Sequence, residues 1–232
     1  MDRGDRRRVT LALVLLGVFA ALYWHLSSVP ELVPTEEIPV YDGRLAVELE
    51  RNRPGFSREE LTAEPYETYS PLDALGRCGA AQACLGPELM PDAPRGEIGM
   101  IRPSGWQLVK YDFIDGKYLY NRCHLIAYQL TGQNDNEQNL ITGTRCLNVE
   151  GMLPFENQVA QYIRSTGNHV LYRVTPVFRG RELLCRGVRM EARSVEDGGK
   201  GVSFHVFVFN VQPGVEIDYA DGESRLAEAG DP

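Results

Sequence analysis

No internal repeat and no low-complexity tract runs through the 232 residues, which excludes solenoid and fibrous architectures. An excess of basic charge is missing as well. The chain has 24 Lys and Arg against 32 Asp and Glu, net −8, which at first sight argues against a nucleic-acid partner. An even set of cysteines is lacking: with five, at least one thiol stays unpaired or pairs with another chain. Cys78 and Cys84 are near enough in sequence to close a small loop, and spacing leaves the other pairings open. Cys123, His124 and Cys146 do not fall at the spacings of the common zinc sites. Formal charge is absent between Arg8 and Glu31.

That uncharged run is informative. Val9 to Leu26 is long enough to cross a bilayer. Arg6, Arg7 and Arg8 precede it and hold the N-terminus in the cytoplasm, and Tyr23 and Trp24 suit the far interface. Residues 1–28 are therefore read as an N-terminal signal-anchor, with a cleaved signal ending near Leu26-Ser27-Ser28 as the alternative. Either way the remainder leaves the cytoplasm, as the outward part of a single-pass membrane protein or as a secreted one. Residues 29–40, rich in Pro and Glu, read as a linker. A domain over 41–220 and an acidic tail over 221–232 follow.

The charge is unevenly spread. Residues 95–190 hold 12 basic and 8 acidic side chains, net +4, while the flanks 1–94 and 191–232 are each net −6. A basic patch attracts phosphates even on an acidic protein. Arg145, Arg173, Arg179 and Arg186 are the candidates for tracking a nucleic-acid backbone; plain solubility is their alternative role.

Local patterns place the elements. Residues 41–70 look loosely structured, with a Ser-x-x-Glu helix start at Ser57 and Glu60. Residues 71–90, small and apolar with Gly breaks, suggest a short buried region under loops. "WQLVKYDFI" and "KYLYNRCHL" are β-prone runs on either side of Asp115-Gly116, a hairpin turn signal. "LIAYQLTG" suits a short helical turn, and residues 132–148, without an apolar period, an ordered loop. Phe155, Val159, Tyr162 and Ile163 fall on one helical face, between Pro154 and the stop at Gly167. "HVLYRVTPVF", "ELLCRGVRMEARSV" and "VSFHVFVFNVQ" form a three-stranded meander. The fold class expected is α+β with an antiparallel sheet core.

The stretch "YNRCHLIAYQLTGQNDNEQNLITGTRCLN" (120–148) is dense in Asn, Gln and Thr around a single His. His124 ends a strand and Asn148 stands just before the helix, so the fold brings the two together near a helix N-terminus. Such a place suits an anion beside a titratable base. Taken alone, a strand His is more often packed or exposed than reactive, and Asn-rich loops are usually turn chemistry. Asn139 and Thr144 are expected to brace the loop, and His169 and His205 to be structural.

"NRCH" at 121–124 resembles the Asp-Arg-Gly-His signature of the DNA/RNA non-specific endonucleases of the ββα-metal class. The likeness is closer to their streptococcal secreted and membrane-bound DNase (DNA-entry nuclease) branch. There Asn-Arg-x-His is followed by segments like "HLIAYQLTG", "NEQNLITGTRCLN" and "GMLPFENQV", all present here in order. "YRVTPVFRG", "GVRMEA" and "FNVQPGV" extend it over roughly residues 38 to 224. The first motif is weak alone; the ordered set is specific. The resemblance implies a ββα-metal motif on the sheet. It implies that His124 is the general base, Arg122 the Arg beside it, and Asn148 the one protein ligand of Mg²⁺, with Mn²⁺ able to substitute. Glu156, eight residues after Asn148, would reach the metal's water shell; a first-turn helix charge is its competing role. Asn121 for Asp is usual in the streptococcal branch, and Cys123 for Gly leaves open whether that thiol is packed or paired. The implied activity is hydrolysis of DNA, with RNA open as a second substrate, giving 5′-phosphate and 3′-hydroxyl ends. A non-cutting extracellular DNA-binding protein is the alternative.

Overall fold

The computed structural model describes residues 38–228, and among these residues it has ten strands and two α-helices. The expected signal-anchor and most of the linker lie outside these residues, as do the last four of the tail. Among the described residues no helix is long and apolar enough to cross a membrane.

The strands are β1 (Ala46–Glu48), β2 (Tyr66–Tyr69), β3 (Ala81–Leu85), β4 (Tyr120–His124), β5 (Leu140–Thr144), β6 (Val170–Val177), β7 (Gly187–Ser194), β8 (Ser203–Phe209), β9 (Val215–Ile217) and β10 (Ser224–Leu226). The helices are α1 (Tyr128–Thr131) and α2 (Leu153–Thr166). Six strands make one antiparallel sheet in the order β1-β8-β7-β6-β3-β2. Its centre is the expected meander of β6, β7 and β8, rich in the β-branched and aromatic residues that fit a pleated surface. The sheet alternates strictly along β8. Phe204, Val206 and Val208 join the main core, whereas Phe207 and Phe209 face the other way, onto Tyr41 and Val47.

The main core lies between this sheet and a smaller unit of β4, β5 and α2. The helix presents Val159, Ala160 and Ile163 to it, and Phe155 stacks at 5.0 Å from Phe204. Pro154 stands in the first turn of α2, and Gly167 ends it with φ 73°, a left-handed backbone that glycine adopts without strain. Buried Asn210 joins the two units. Its oxygen accepts from Thr144 N at 2.9 Å, and its amide donates to Thr142 O and Cys185 O at 3.2 and 3.0 Å.

Several expectations are corrected. The strand before Asp115 forms only a narrow arm, with one bridge between Lys110 and Tyr118. The strand after it is β4, but its partner is β5, inside the stretch expected to be loop. All five residues of β5 are buried, so it shows no polar alternation. Its glycine allows the close pairing: a Cβ on Gly143 would lie 2.8 Å from that of Cys123. Residues 71–90 contain β3, a fully paired sheet strand, and residues 41–70 contain the edge strands β1 and β2. The Ser57–Glu60 capping pair forms reciprocally, at 2.8 and 3.3 Å, but around a turn and not a helix. Glu64 precedes Pro65, which favours extended backbone there. Cys78 and Cys84 do not pair; all five thiols are free and buried. Cys78 donates to Leu140 O at 3.2 Å and Cys84 to Thr62 O at 3.1 Å.

Candidate active site

β4 ends in His124, β5 leads into a π-helical turn at Leu147–Met152 that carries Asn148, and α2 brings Glu156 in its first turn. Such π turns often mark functional places, because the extra residue re-aims side chains. Together with Arg122 and Arg95, these three side chains line one cleft of about 270 Å³.

His124 is 6% exposed. Its Nε2 lies 2.9 Å from the carbonyl oxygen of Asn134, which only accepts. The ring proton is thereby assigned to Nε2, and Nδ1 keeps its lone pair. Consistent with that, the guanidinium Nη2 of Arg95 points to Nδ1 at 3.3 Å. Burial pushes the imidazole down to about pKa 4, and the charge of Arg95 acts in the same direction. The ring is neutral at pH 7.

The amides after His124 hold this arrangement. Asn139, fully buried, accepts from Ile126 N and donates to Ile126 O, both at 2.9 Å, closing the loop behind the histidine. Asn136 accepts from Gln138 N at 3.0 Å. Asn134 acts twice: its carbonyl accepts a hydrogen bond from His124 Nε2, and its side-chain oxygen accepts from Gly96 N at 3.2 Å. The second bond pins the residue next to Arg95. Thr144 braces the far end of β5, donating to Val211 O at 2.7 Å and accepting from Leu147 N at 2.9 Å.

Asn148 is oriented from two sides. Its amide donates to Asn121 Oδ1 at 3.3 Å, and its oxygen accepts from the Cys123 thiol at 3.1 Å. The two residues that depart from the Asp-Arg-Gly-His pattern are therefore the two that set this carboxamide. Cys123 is packed, not paired. Arg122 donates to the carbonyls of Ile101 and Gly99 and stacks at 4.1 Å on Trp106.

Glu156 is 7% exposed, and burial raises its carboxyl to about pKa 8, against the opposing pull of Arg95. A divalent cation in the cleft would restore its charge. Among the described residues no three His, Cys, Asp or Glu cluster to cage a metal, so a closed tetrahedral zinc set is not built here. One amide oxygen with a carboxyl nearby fits Mg²⁺, which dehydrates reluctantly and keeps several waters. Asn148 and Glu156 are the residues of the cleft that could hold a divalent ion.

The four arginines suggested by charge are not brought to this cleft. Arg145 pairs with Asp115 at 2.8 Å. Arg173 is engaged by Glu191 and Glu60 at 2.9 and 3.0 Å and lies over Phe56. Arg186 pairs with Glu182 and stacks on Tyr219. Arg179 is exposed at a turn. The cleft residue to which no sequence signal points is Arg95, in an exposed Pro- and Gly-bearing segment without periodicity. His169 is held by Glu196, and His205 by the Arg53 carbonyl at 3.0 Å, as structural histidines are.

A model of the family described as DNA/RNA non-specific endonuclease matches residues 58–196. A deoxyribonuclease of Streptococcus dysgalactiae subsp. equisimilis is 36% identical over 120 residues, 48% of this chain and 36% of that protein; the chain thus spans about a third of that relative's length. Among solved structures, NucA from Streptococcus agalactiae with magnesium ion bound has a TM-score of 0.68 at 26% identity, covering 78% of this chain and 86% of its own. The Sda1 nuclease with bound zinc ion has a TM-score of 0.65 at 27% identity, covering 80% and 97%.

Proposed function

The chain belongs to the DNA/RNA non-specific endonuclease family, and from that premise we propose that it hydrolyses phosphodiester bonds of DNA, and of RNA as a second substrate, with little sequence preference. The observation that carries this is the convergence of His124, Asn148, Glu156 and two arginines on one cleft. A pure binder has no use for a neutral, tautomer-fixed imidazole beside a metal-ligating amide.

His124 Nδ1 takes the proton of the attacking water. In the free protein Arg95 caps that nitrogen and burial weakens it as a base. A substrate phosphate draws the Arg95 guanidinium to itself, frees Nδ1 and raises the basicity of the ring at the moment it is needed. Arg122, fixed by two carbonyls and an indole face, offers its remaining N–H groups to the same phosphate. Asn148 directly, and Glu156 through water, would hold Mg²⁺, or Mn²⁺ in its place, which would supply positive charge to the phosphate and the departing 3′ oxygen. The products then carry 5′-phosphate and 3′-hydroxyl ends. Phosphate and sugar contacts carry no base information, which fits low specificity.

The apolar, uncharged run after Arg8 supports a domain held outside the cell membrane by its N-terminal segment. The test of activity is nicking of a supercoiled plasmid with Mg²⁺, with and without EDTA, by the parent and His124→Ala proteins. Cutting that survives EDTA, or that His124→Ala leaves unchanged, ends the proposal.

A further inference from the structure

Next to the catalytic cleft lies a second recess of about 400 Å³, continuous with it through Arg95, Arg122 and Asn148, which line both. Its size falls in the range, roughly 300–1,000 Å³, of small-ligand pockets. Its other walls differ in kind. Ile98, Trp106, Leu108, Tyr118 and Tyr120 make them aromatic and aliphatic, with the Asn121 amide at the side. Leu108 is 73% and Tyr118 43% exposed, although large apolar side chains normally find cover. The ammonium of Lys110 sits 4.4 Å above the Tyr118 ring.

We propose that this recess is a nucleobase-stacking subsite, which receives the base of the nucleotide adjoining the scissile phosphate. The occupant follows from continuity with the phosphate-binding side chains. A strand whose phosphate meets Arg95 and Arg122 places its neighbouring nucleoside against the Trp106–Leu108–Tyr118 wall. Aromatic side chains hold any base by its π-face, so such a subsite adds affinity without sequence preference. A base inside a duplex is already stacked and must leave its neighbours to enter. Single-stranded or locally melted nucleic acid is therefore the preferred substrate class. The inference rests on the nuclease proposal for the position of the phosphate, and extends it to the form of the substrate.

The test uses the full chain with His124→Ala to prevent cutting and Trp24→Phe to leave Trp106 as its only tryptophan. In Mg²⁺ it is titrated with a single-stranded oligothymidylate, an abasic deoxyribose-phosphate strand of equal length, and a duplex. The oligothymidylate should quench Trp106 and bind roughly 5- to 100-fold tighter than the abasic strand. The double variant Leu108→Ala, Tyr118→Ala should lose that margin while binding the abasic strand as before. Equal binding and quenching by base-bearing and abasic strands overturns the subsite, as does a margin that survives the double variant. Plasmid nicking by the His124-bearing protein is measured alongside. A protein that nicks but does not discriminate bases sinks the subsite alone. One that discriminates but does not nick sinks the hydrolytic proposal and keeps the base-binding recess.

Discussion

The carbonyl of Asn134 and the Nε2 of His124, 2.9 Å apart, set which nitrogen of the imidazole is free. With the proton held on Nε2, only Nδ1 can act as base. His124→Ala should reduce nicking by at least about 10²-fold, the lower end of general-base contributions, while binding of single-stranded DNA stays within a few fold. A quantitative gel assay with a parallel titration checks both. Unchanged cutting would remove His124 from the chemistry.

The depressed basicity of that ring makes a pH prediction. The free protein has the imidazole near pKa 4, so the acid limb of kcat/KM should fall near pH 4 and not near 6.5. The limb of kcat should lie higher if, as proposed, the substrate phosphate draws Arg95 away from Nδ1. Stability moves too. Between pH 6.5 and 4 the unfolded state binds the proton and the native ring does not, so this group's contribution is present above pH 6.5 and is lost as pH falls towards 4. Coincident limbs at 6.5 for both kinetic parameters would contradict the role given to Arg95.

How much of this was legible in the sequence depends on the kind of signal. The helix α2 was readable because Phe155, Val159, Tyr162 and Ile163 repeat at helical spacing between a Pro and a Gly. The meander was readable because its strands are long and rich in β-branched and aromatic residues. Strand β5 was not: "LITGT" is buried throughout, and a short strand without alternation looks like loop among polar neighbours. Strand β3, "AQACL", was hidden because it is short and sits in a small-residue, Gly-broken apolar stretch with no clear alternation. Arg173 reads in the sequence as a candidate for a backbone contact because its partners are remote, Glu60 lying 113 residues away. Arg95 lacks any local pattern; its place comes from the Gly96–Asn134 bond. Asn139 and Thr144 do brace the loop as expected, but mostly through partners remote in sequence, Ile126 and Val211, and not through local turn bonds.

Asn139 offers a stability prediction free of the chemistry. Asn139→Ala leaves the buried N–H and C=O of Ile126 without partners, at about 1–3 kcal/mol for each unpaired group. Each kcal/mol lowers the melting temperature of a domain this size by about 2–4 °C. The loop that carries Asn134 should loosen with it, so activity should fall as well. Thermal unfolding that matches the parent would show that the loop is closed by other contacts.

Asn148 is bracketed by Asn121 and the Cys123 thiol, and changing either should act on metal dependence before it acts on folding. Asn148→Ala should remove most activity at any Mg²⁺ concentration. Asn121→Ala, which removes only the supporting bond, should raise the Mg²⁺ needed for half-maximal cutting about 10- to 100-fold, as outer-shell substitutions do, and high Mg²⁺ should restore the rate. The Mg²⁺ titration of cutting separates the two, and an Asn121→Ala curve that overlays the parent would exclude the positioning role.

Glu156 sets function against stability. In the metal-free protein burial raises its carboxyl to about pKa 8, above its ordinary value near 4.5. Between those values the native state holds a proton that the unfolded state has released. Its contribution is therefore full below about pH 4.5 and is lost as pH rises through 8. At pH 8 and above, the native protein must carry a buried charge on α2. Glu156→Gln removes that charge while keeping the shape, so with EDTA at pH 8.5 it should melt higher than the parent, and at pH 4.5 the difference should shrink. With Mg²⁺ the order should reverse for activity: the glutamine cannot serve the metal's water shell as a carboxylate, and cutting should fall about 10- to 100-fold. Melting curves at the two pH values, paired with nicking rates, check both halves. A Gln variant that melts no higher at pH 8.5 would mean that the carboxyl finds compensation on ionising, and that its burial is not the strain a metal relieves.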